Sequence, residues 1–170
     1  MAKSRWIEMH GFLAWAKVFE ENYDDSEYHE ETDGAYVCNF YPSTEAEKQK
    51  YIDAGGPMSA MGHDTFKKDG DDYGIGEYMK CVRKRVNERF PSYGGAPMVF
   101  DFREGPSTKL WSYEDDGELG NGTEVSVKIS MYGNKPGDPR TIKRLEKIAV
   151  IDLEEYTPGG DVDPDAPPSF

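Results

Sequence analysis

Residues 122–132, GTEVSVKISMY, alternate with period two from end to end. Val125, Val127, Ile129 and Met131 fall on one side, and Glu124, Ser126, Lys128, Ser130 and Tyr132 on the other. That pattern predicts a strand with one face in a core and one in solvent. Such a strand needs partners, and other stretches supply them. GFLAWAKVFE (11–20) alternates Phe12, Ala14, Ala16 and Val18 against Leu13, Trp15, Lys17 and Phe19. GAYVCNFY (34–41) is rich in aromatic and β-branched residues. EYMKCVRKRVNERF (77–90) reads as a basic strand whose alternation breaks near Val82, so Arg83 and Lys84 are alternatives for its outer face. PMVFDFR (97–103) is a fourth strand. TIKRLEKIAVIDLEEY (141–156) admits a helix over 141–149, but its continuous apolar centre favours a strand paired with its predecessor.

One stretch changes period. In PSTEAEKQKYIDAGG (42–56), Thr44 and Glu47 have the spacing of a capping box, and Gly55-Gly56 stops the helix. Residues 56–74 and the run SYEDDGELGNG read as loop and turn. One short helix with five or six strands predicts an all-β fold, a small closed barrel of five strands in Greek-key order with long loops and one face open to a ligand.

The net charge of −13 argues at first against a nucleic-acid partner. The charge is segregated, however. ENYDDSEYHEETD carries eight acids with Glu20 counted at its start and no Lys or Arg, residues 104–118 hold five acids against Lys109, and the last stretch, GGDVDPDAPPSF, holds three. Two basic clusters lie elsewhere. Lys80, Arg83, Lys84, Arg85 and Arg89 face only Glu77 and Glu88 within 77–90, and Lys128, Lys135, Arg140, Lys143, Arg144 and Lys147 face only Asp138 and Glu146 within 128–147. A charged run is ordinarily a solvated face. Two of them on strands of one sheet, with Trp15, Tyr78, Phe102, Trp111, Tyr113 and Tyr132 for stacking, fit a single-strand binder, in which cations follow phosphates and rings stack on bases. Trp15 shares a face with Lys17, and Tyr132 follows Lys128.

Other chemistries find little support. His10, His29 and His63 lack zinc-ligand spacing, and no phosphate-cradling loop is present. Asp161, Asp163 and Asp165 imitate the start of a calcium loop, but Ala166 occupies its sixth position. The expectation is therefore no metal, no cofactor and no catalysis. Cys38 and Cys81 read as buried free thiols, with a disulfide or metal pair as the alternative. No apolar h-region follows Met1 and no run has the length of a membrane span, which predicts an intracellular protein that does not enter membranes.

The chain resembles the single-stranded DNA-binding proteins of tailed bacteriophages. The resemblance rests on GFLAWAKVFEENYD, on YMKCVRKRV followed by APMVFDFREGP, on GELGNGTEVSVKISMY and on TIKRLEKIAVIDLEEYTPGGD, and covers most of residues 10–170. It implies an oligonucleotide/oligosaccharide-binding (OB) barrel over residues 1–157 and a disordered acidic tail over 158–170. It also implies a role in phage replication and recombination in the host cytoplasm. Single-stranded DNA would be held by Trp15, Lys17, Tyr78, Lys80, Arg83, Arg85, Trp111, Lys128, Tyr132, Arg140, Lys143 and Arg144. Asp161, Asp163, Asp165 and Phe170 would engage replication proteins (polymerase, helicase/primase or nuclease) and compete with DNA for the groove; a homodimer is left open. Two alternatives stand beside this reading. An acidic DNA mimic that inhibits a host nuclease would spread its acids over the folded surface, and a structural β-domain of a virion would not need the acidic tip.

Overall fold

A computed structural model describes residues 5–56, 61–63, 67–68, 71–88, 91–133, 137 and 141–155. Its strands are β1 (Arg5–Lys17), β2 (Ala35–Pro42), β3 (Met61–His63), β4 (Lys67–Lys68), β5 (Asp71–Asp72), β6 (Glu77–Lys84), β7 (Met98–Asp101), β8 (Thr123–Gly133) and β9 (Thr141–Asp152). Seven of them form one sheet in the order β3-β6-β2-β1-β8-β9-β7, while β4 and β5 pair separately. All pairs are antiparallel except β7 with β9. The fold is thus mostly β with few helices. The 141–149 segment is strand, paired along its length with β8 as its apolar centre suggested.

The barrel is not closed. Among the described residues no ladder joins β6 to β9. The five long strands run in the order β6-β2-β1-β8-β9, and the sheet curls until β6 and β9 face one another. Arg83 crosses that seam. Its Nη1 donates to the Leu145 carbonyl at 3.4 Å and lies 3.4 Å from the Glu146 carboxylate. Its Nε and Nη2 donate to the carbonyls of Gly95 (2.7 Å) and Gly94 (3.3 Å). Glu146 sits in a bulge, because Lys128 pairs with Lys147 and Ile129 with Leu145, which leaves Glu146 without a strand partner. Its carboxylate also accepts from Ser130 Oγ at 2.9 Å and from Arg144 Nε.

Inside the curl lies the core: Met9, Leu13, Cys38, Phe40, Met79, Cys81, Val125, Val127, Ile129, Leu145, Ile148 and Val150, all nearly inaccessible. The inward residues of β8 are the ones its alternation marked. Cys38 and Cys81 are free, buried and directly opposite on β2 and β6. The helix α1 (Glu45–Asp53) begins where Thr44 Oγ1 accepts the Glu47 N–H at 3.3 Å. It covers one end of the core with the fully buried Tyr51 and is fastened to β6 by Lys48 and Glu77 at 2.8 Å.

Several boundaries differ from expectation. β1 begins at Arg5, not Gly11, and its pairing with β2 is irregular between Ala14 and Lys17. Alternation holds through Leu13, which packs in the core, and Ala14, which packs with Tyr41 and Tyr73 on the outer face; it breaks in the irregularity that follows, where Trp15 stays on the outer side and Ala16 packs against the core. Gly11 lets β1 pass close to β2: a Cβ would lie 2.0 Å from the Tyr41 carbonyl oxygen. The 56–74 loop contains β3 to β5, a one-turn helix α2 (Tyr113–Asp116) lies in the acidic turn, and a 3-10 segment (Glu27–Thr32) lies in the acidic loop. No helix among the described residues is long and apolar enough to cross a membrane.

Removing Arg83 takes one donor from Glu146 and leaves the carbonyls of Leu145, Gly94 and Gly95 without its hydrogen bonds, in a site where the Arg83 and Glu146 side chains are about one-tenth exposed. Arg83→Ala is expected to lower unfolding free energy by about 3 kcal/mol, the usual penalty for removing one partner of a buried pair. A urea midpoint unchanged from the wild type would show the seam to be dispensable.

Candidate nucleic-acid interface

Alternation along β8 sets its outward residues beside those of β1 and β9. Lys128 lies opposite Glu8 on one side and Lys147 on the other. Ser130 lies between Trp6 and Arg144. Met98 of β7 pairs with Lys147. Trp6 is 53% exposed. Lys147 Nζ stands 5.9 Å from the Trp6 ring centre and 6.0 Å from that of Phe100, within cation–π range of both. Phe102 continues the row, its ring 6.4 Å from Phe100. A cavity of about 220 Å³ opens here, lined by Glu8, Phe100, Phe102, Thr108, Lys128 and Lys147 among others. Farther along the same face, Arg144 lies 5.6 Å over the Tyr132 ring. Lys128, Tyr132 and Arg144, expected from sequence, therefore share a face, joined by Trp6, Phe100 and Lys147.

A second group of rings occupies the outer face of β1, β2 and β6. Tyr41 points outward yet is fully covered, because Tyr73 and Tyr78 pack on it at 5.5 and 5.4 Å. Phe12 stacks on Tyr73 at 6.5 Å, and Trp15 packs against the same cluster. Trp15 has φ 51°, in the left-handed region, and its N–H is taken by Asn121 Oδ1 at 2.8 Å. Trp15 and the exposed Lys17 line a cavity of about 300 Å³ with Asn22, Glu118, Leu119 and Asn121. Lys80 is exposed two residues beyond Tyr78 on the same side of β6.

The remaining expected contacts are placed elsewhere. Arg83 points into the seam. Lys143 pairs with the inward Met131 and lies 5.3 Å over the Tyr51 ring. Arg85 is held by Glu20 at 2.6 Å and Asp33 at 2.9 Å, with its guanidinium 4.5 Å over Tyr23. Trp111 is a core residue at 7% exposure: its Nε1 donates to the Gly117 carbonyl at 2.9 Å and Arg103 covers its ring at 4.4 Å. Arg140, Asp161, Asp163, Asp165 and Phe170 lie outside the described residues. Sequence reasoning missed Trp6, Phe100 and Lys147 as members of this face, and Tyr73 as the ring that covers Tyr41. For Trp6 a signal existed, since Trp6, Glu8 and His10 continue β1's outward alternation; Phe100 and Lys147 depend on how β7 and β9 meet.

The outer face also carries acids. Glu124 lies between Phe12 and Asp152 and bonds His10 Nε2 at 2.7 Å, while His10 Nδ1 meets Ser43 Oγ at 2.7 Å. The positive character is thus local to the Lys128–Lys147 groove and to the Lys17 and Lys80 sites. One acid serves the groove from behind. Asp101 ends β7 and binds Arg103 through both oxygens at 2.9 Å, while Arg103 reaches Asp116 at 3.0 Å. Ser107 Oγ donates to the Asp101 carbonyl at 2.7 Å, which ties the groove-lining turn to this cluster. The bonds from Arg103 hold the Asp101 carboxyl well below the usual carboxylate range.

The fold is shared with solved single-stranded DNA-binding proteins of bacteriophages. One is a single-stranded DNA-binding protein from bacteriophage Enc34 in complex with ssDNA, 13% identical with 88% of both chains covered and a TM-score of 0.54. Another structure of the Enc34 protein is 16% identical over 93% of this chain and 87% of that one, at a TM-score of 0.52. The third is gp2.5, a single-stranded DNA-binding protein encoded by bacteriophage T7, 15% identical over 97% of this chain and 100% of that one, at 0.51. No protein-family model and no curated protein matches the sequence.

A carboxyl depressed in the folded state stabilises fully above its unfolded pKa of about 3.9 and loses that contribution as pH falls toward the folded value. Asp101→Asn is expected to lower the thermal midpoint at neutral pH. The gap to the wild type should close as pH is brought below about 4; a gap independent of pH would show that the Arg103 pair does not stabilise the fold.

Proposed function

We propose that this protein binds single-stranded DNA with little demand on sequence and without catalysis, in the service of phage DNA replication and recombination. The observation that carries the reading is the outward row Trp6–Lys147–Phe100 beside Lys128. It offers rings to bases and ammonium groups to phosphates on one open face. That is the combination a sequence-tolerant single-strand binder uses, with stacking contributing about 1–3 kcal/mol per base. The shared fold supports the same reading. Trp15, Lys17, Tyr78 and Lys80 extend the path across β1 to β6, and Arg144 with Tyr132 extends it along β9. Arg83, Lys143 and Trp111 act from the interior, as scaffold for that surface, and Arg85 is committed to Glu20 and Asp33.

Residues 1–157 form the binding domain in this proposal, and 158–170 an acidic tail. Asp161, Asp163 and Asp165 meet a basic rim on a replication protein while Phe170 enters its apolar pocket. The same segment competes with DNA for the lysines of the groove. Localisation in the host cytoplasm follows from this role.

Titration with labelled oligonucleotides tests the reading. A single strand should bind more tightly than the duplex of the same sequence, with affinity falling steeply as salt rises. Trp6→Ala should weaken binding roughly tenfold, and Lys147→Ala should reduce the salt slope by about 0.7. Equal affinity for duplex and single strand, or no binding at low salt, would defeat it. Deleting residues 158–170 should leave single-strand affinity unchanged or higher and abolish capture of a replication partner; weaker DNA binding would place DNA contacts in the tail.

A further inference from the structure

One side chain in the groove runs against its charge. Glu8 projects from β1 between Trp6 and His10, directly opposite Lys128, and lines the cavity with Phe100, Phe102 and Lys147. It is exposed, and its carboxylate makes no ion pair within 4 Å with any described residue, although Lys128 is its cross-strand neighbour. A carboxylate here repels phosphate. It costs a general phosphate binder affinity, and the only part of a nucleotide that can approach it favourably is an edge bearing N–H groups.

Resting on the single-strand reading above, we propose that Glu8 gives the groove a preference for guanine, superimposed on sequence-tolerant binding. In an unpaired strand the Watson–Crick edge is free to be read. Guanine alone among the four bases presents two adjacent donors there, N1–H and N2–H, whose spacing matches the two oxygens of a carboxylate. Thymine offers one N–H flanked by two carbonyls that the carboxylate repels; cytosine and adenine each offer one amine beside a ring-nitrogen acceptor. The cavity of about 220 Å³ is smaller than the roughly 300–1,000 Å³ of drug-sized ligand sites and suits one flat ring system. Phe100 and Phe102 line it and supply rings for stacking, and Lys128 and Lys147 line it with ammonium groups for the flanking phosphates.

Three 15-mers decide the matter by fluorescence anisotropy at one salt concentration: all thymine, thymine–thymine–guanine repeats, and the same repeats with hypoxanthine in place of guanine. Hypoxanthine keeps N1–H and lacks the 2-amino group. The wild type should bind the guanine repeat roughly tenfold more tightly than the thymine strand, in the range of a bidentate base contact. Hypoxanthine should lose most of that gain. In Glu8→Ala and in Glu8→Gln, the three affinities should converge, with the thymine strand bound more tightly than by the wild type. Equal affinities in the wild type overturn the guanine preference and leave single-strand binding standing, as does a Glu8→Ala variant that tightens all three alike. Binding of none of the three would overturn the single-strand reading itself and the preference with it.

Discussion

The bond from Arg83 across the open seam holds the molecule in its working shape. β6 and β9 meet without a ladder, and a guanidinium from one strand joins a carbonyl and a carboxylate of the other. Hydrogen bonds of a sheet cannot be left unmade in a dry interior without a cost of about 1–3 kcal/mol per group. A planar cation with five donors can satisfy four acceptors at once where two strands diverge too far to pair. Burial lowers the Arg83 pKa, and the Glu146 carboxylate opposes that shift. The seam thereby encloses the core while keeping the sheet open.

Glu146 links this scaffold to the surface. As a bulge residue it joins Ser130 and Arg144 to Arg83 at the seam and shifts the phase of β9 by one position. Arg144 and Lys147 are three apart and would otherwise stand on opposite faces; the bulge puts both outside. Without it, Lys147 would not lie beside Lys128, and the groove between Trp6 and Phe100 would lose one of its two ammonium groups. The buried network and the exposed row are two consequences of one extra residue.

A similar device acts on β1. The left-handed Trp15 carries a conformational cost of about 1–2 kcal/mol for a side chain with a Cβ. Asn121, from the turn before β8, accepts the Trp15 N–H and fixes the irregularity. The indole is delivered to the rim of a cavity beside Lys17, next to a cluster in which Tyr73 closes over Tyr41. The acidic total does not erase these sites, because attraction and repulsion in water fade within about 10 Å at ordinary salt. What a phosphate meets locally decides binding more than the sum over the chain.

The sequence by itself determined the class of fold, the capped helix and the two faces of β8, because those are local: a period of two or a Thr44–Glu47 cap acts within a few residues. It also carried the resemblance and the separation of acids from cations along the chain. Which cations reach the surface was decided only by the tertiary structure. Arg83 and Lys84 looked equivalent until β9 arrived opposite Arg83, and Trp111 looked like a platform until Arg103 and Gly117 enclosed it. Trp6 and Lys147 are far apart in the chain and became neighbours through pairing and a bulge. Periodicity reports which way a residue points within its own strand, whereas a binding surface is made by strands meeting, and the register of that meeting is set by contacts no single stretch contains.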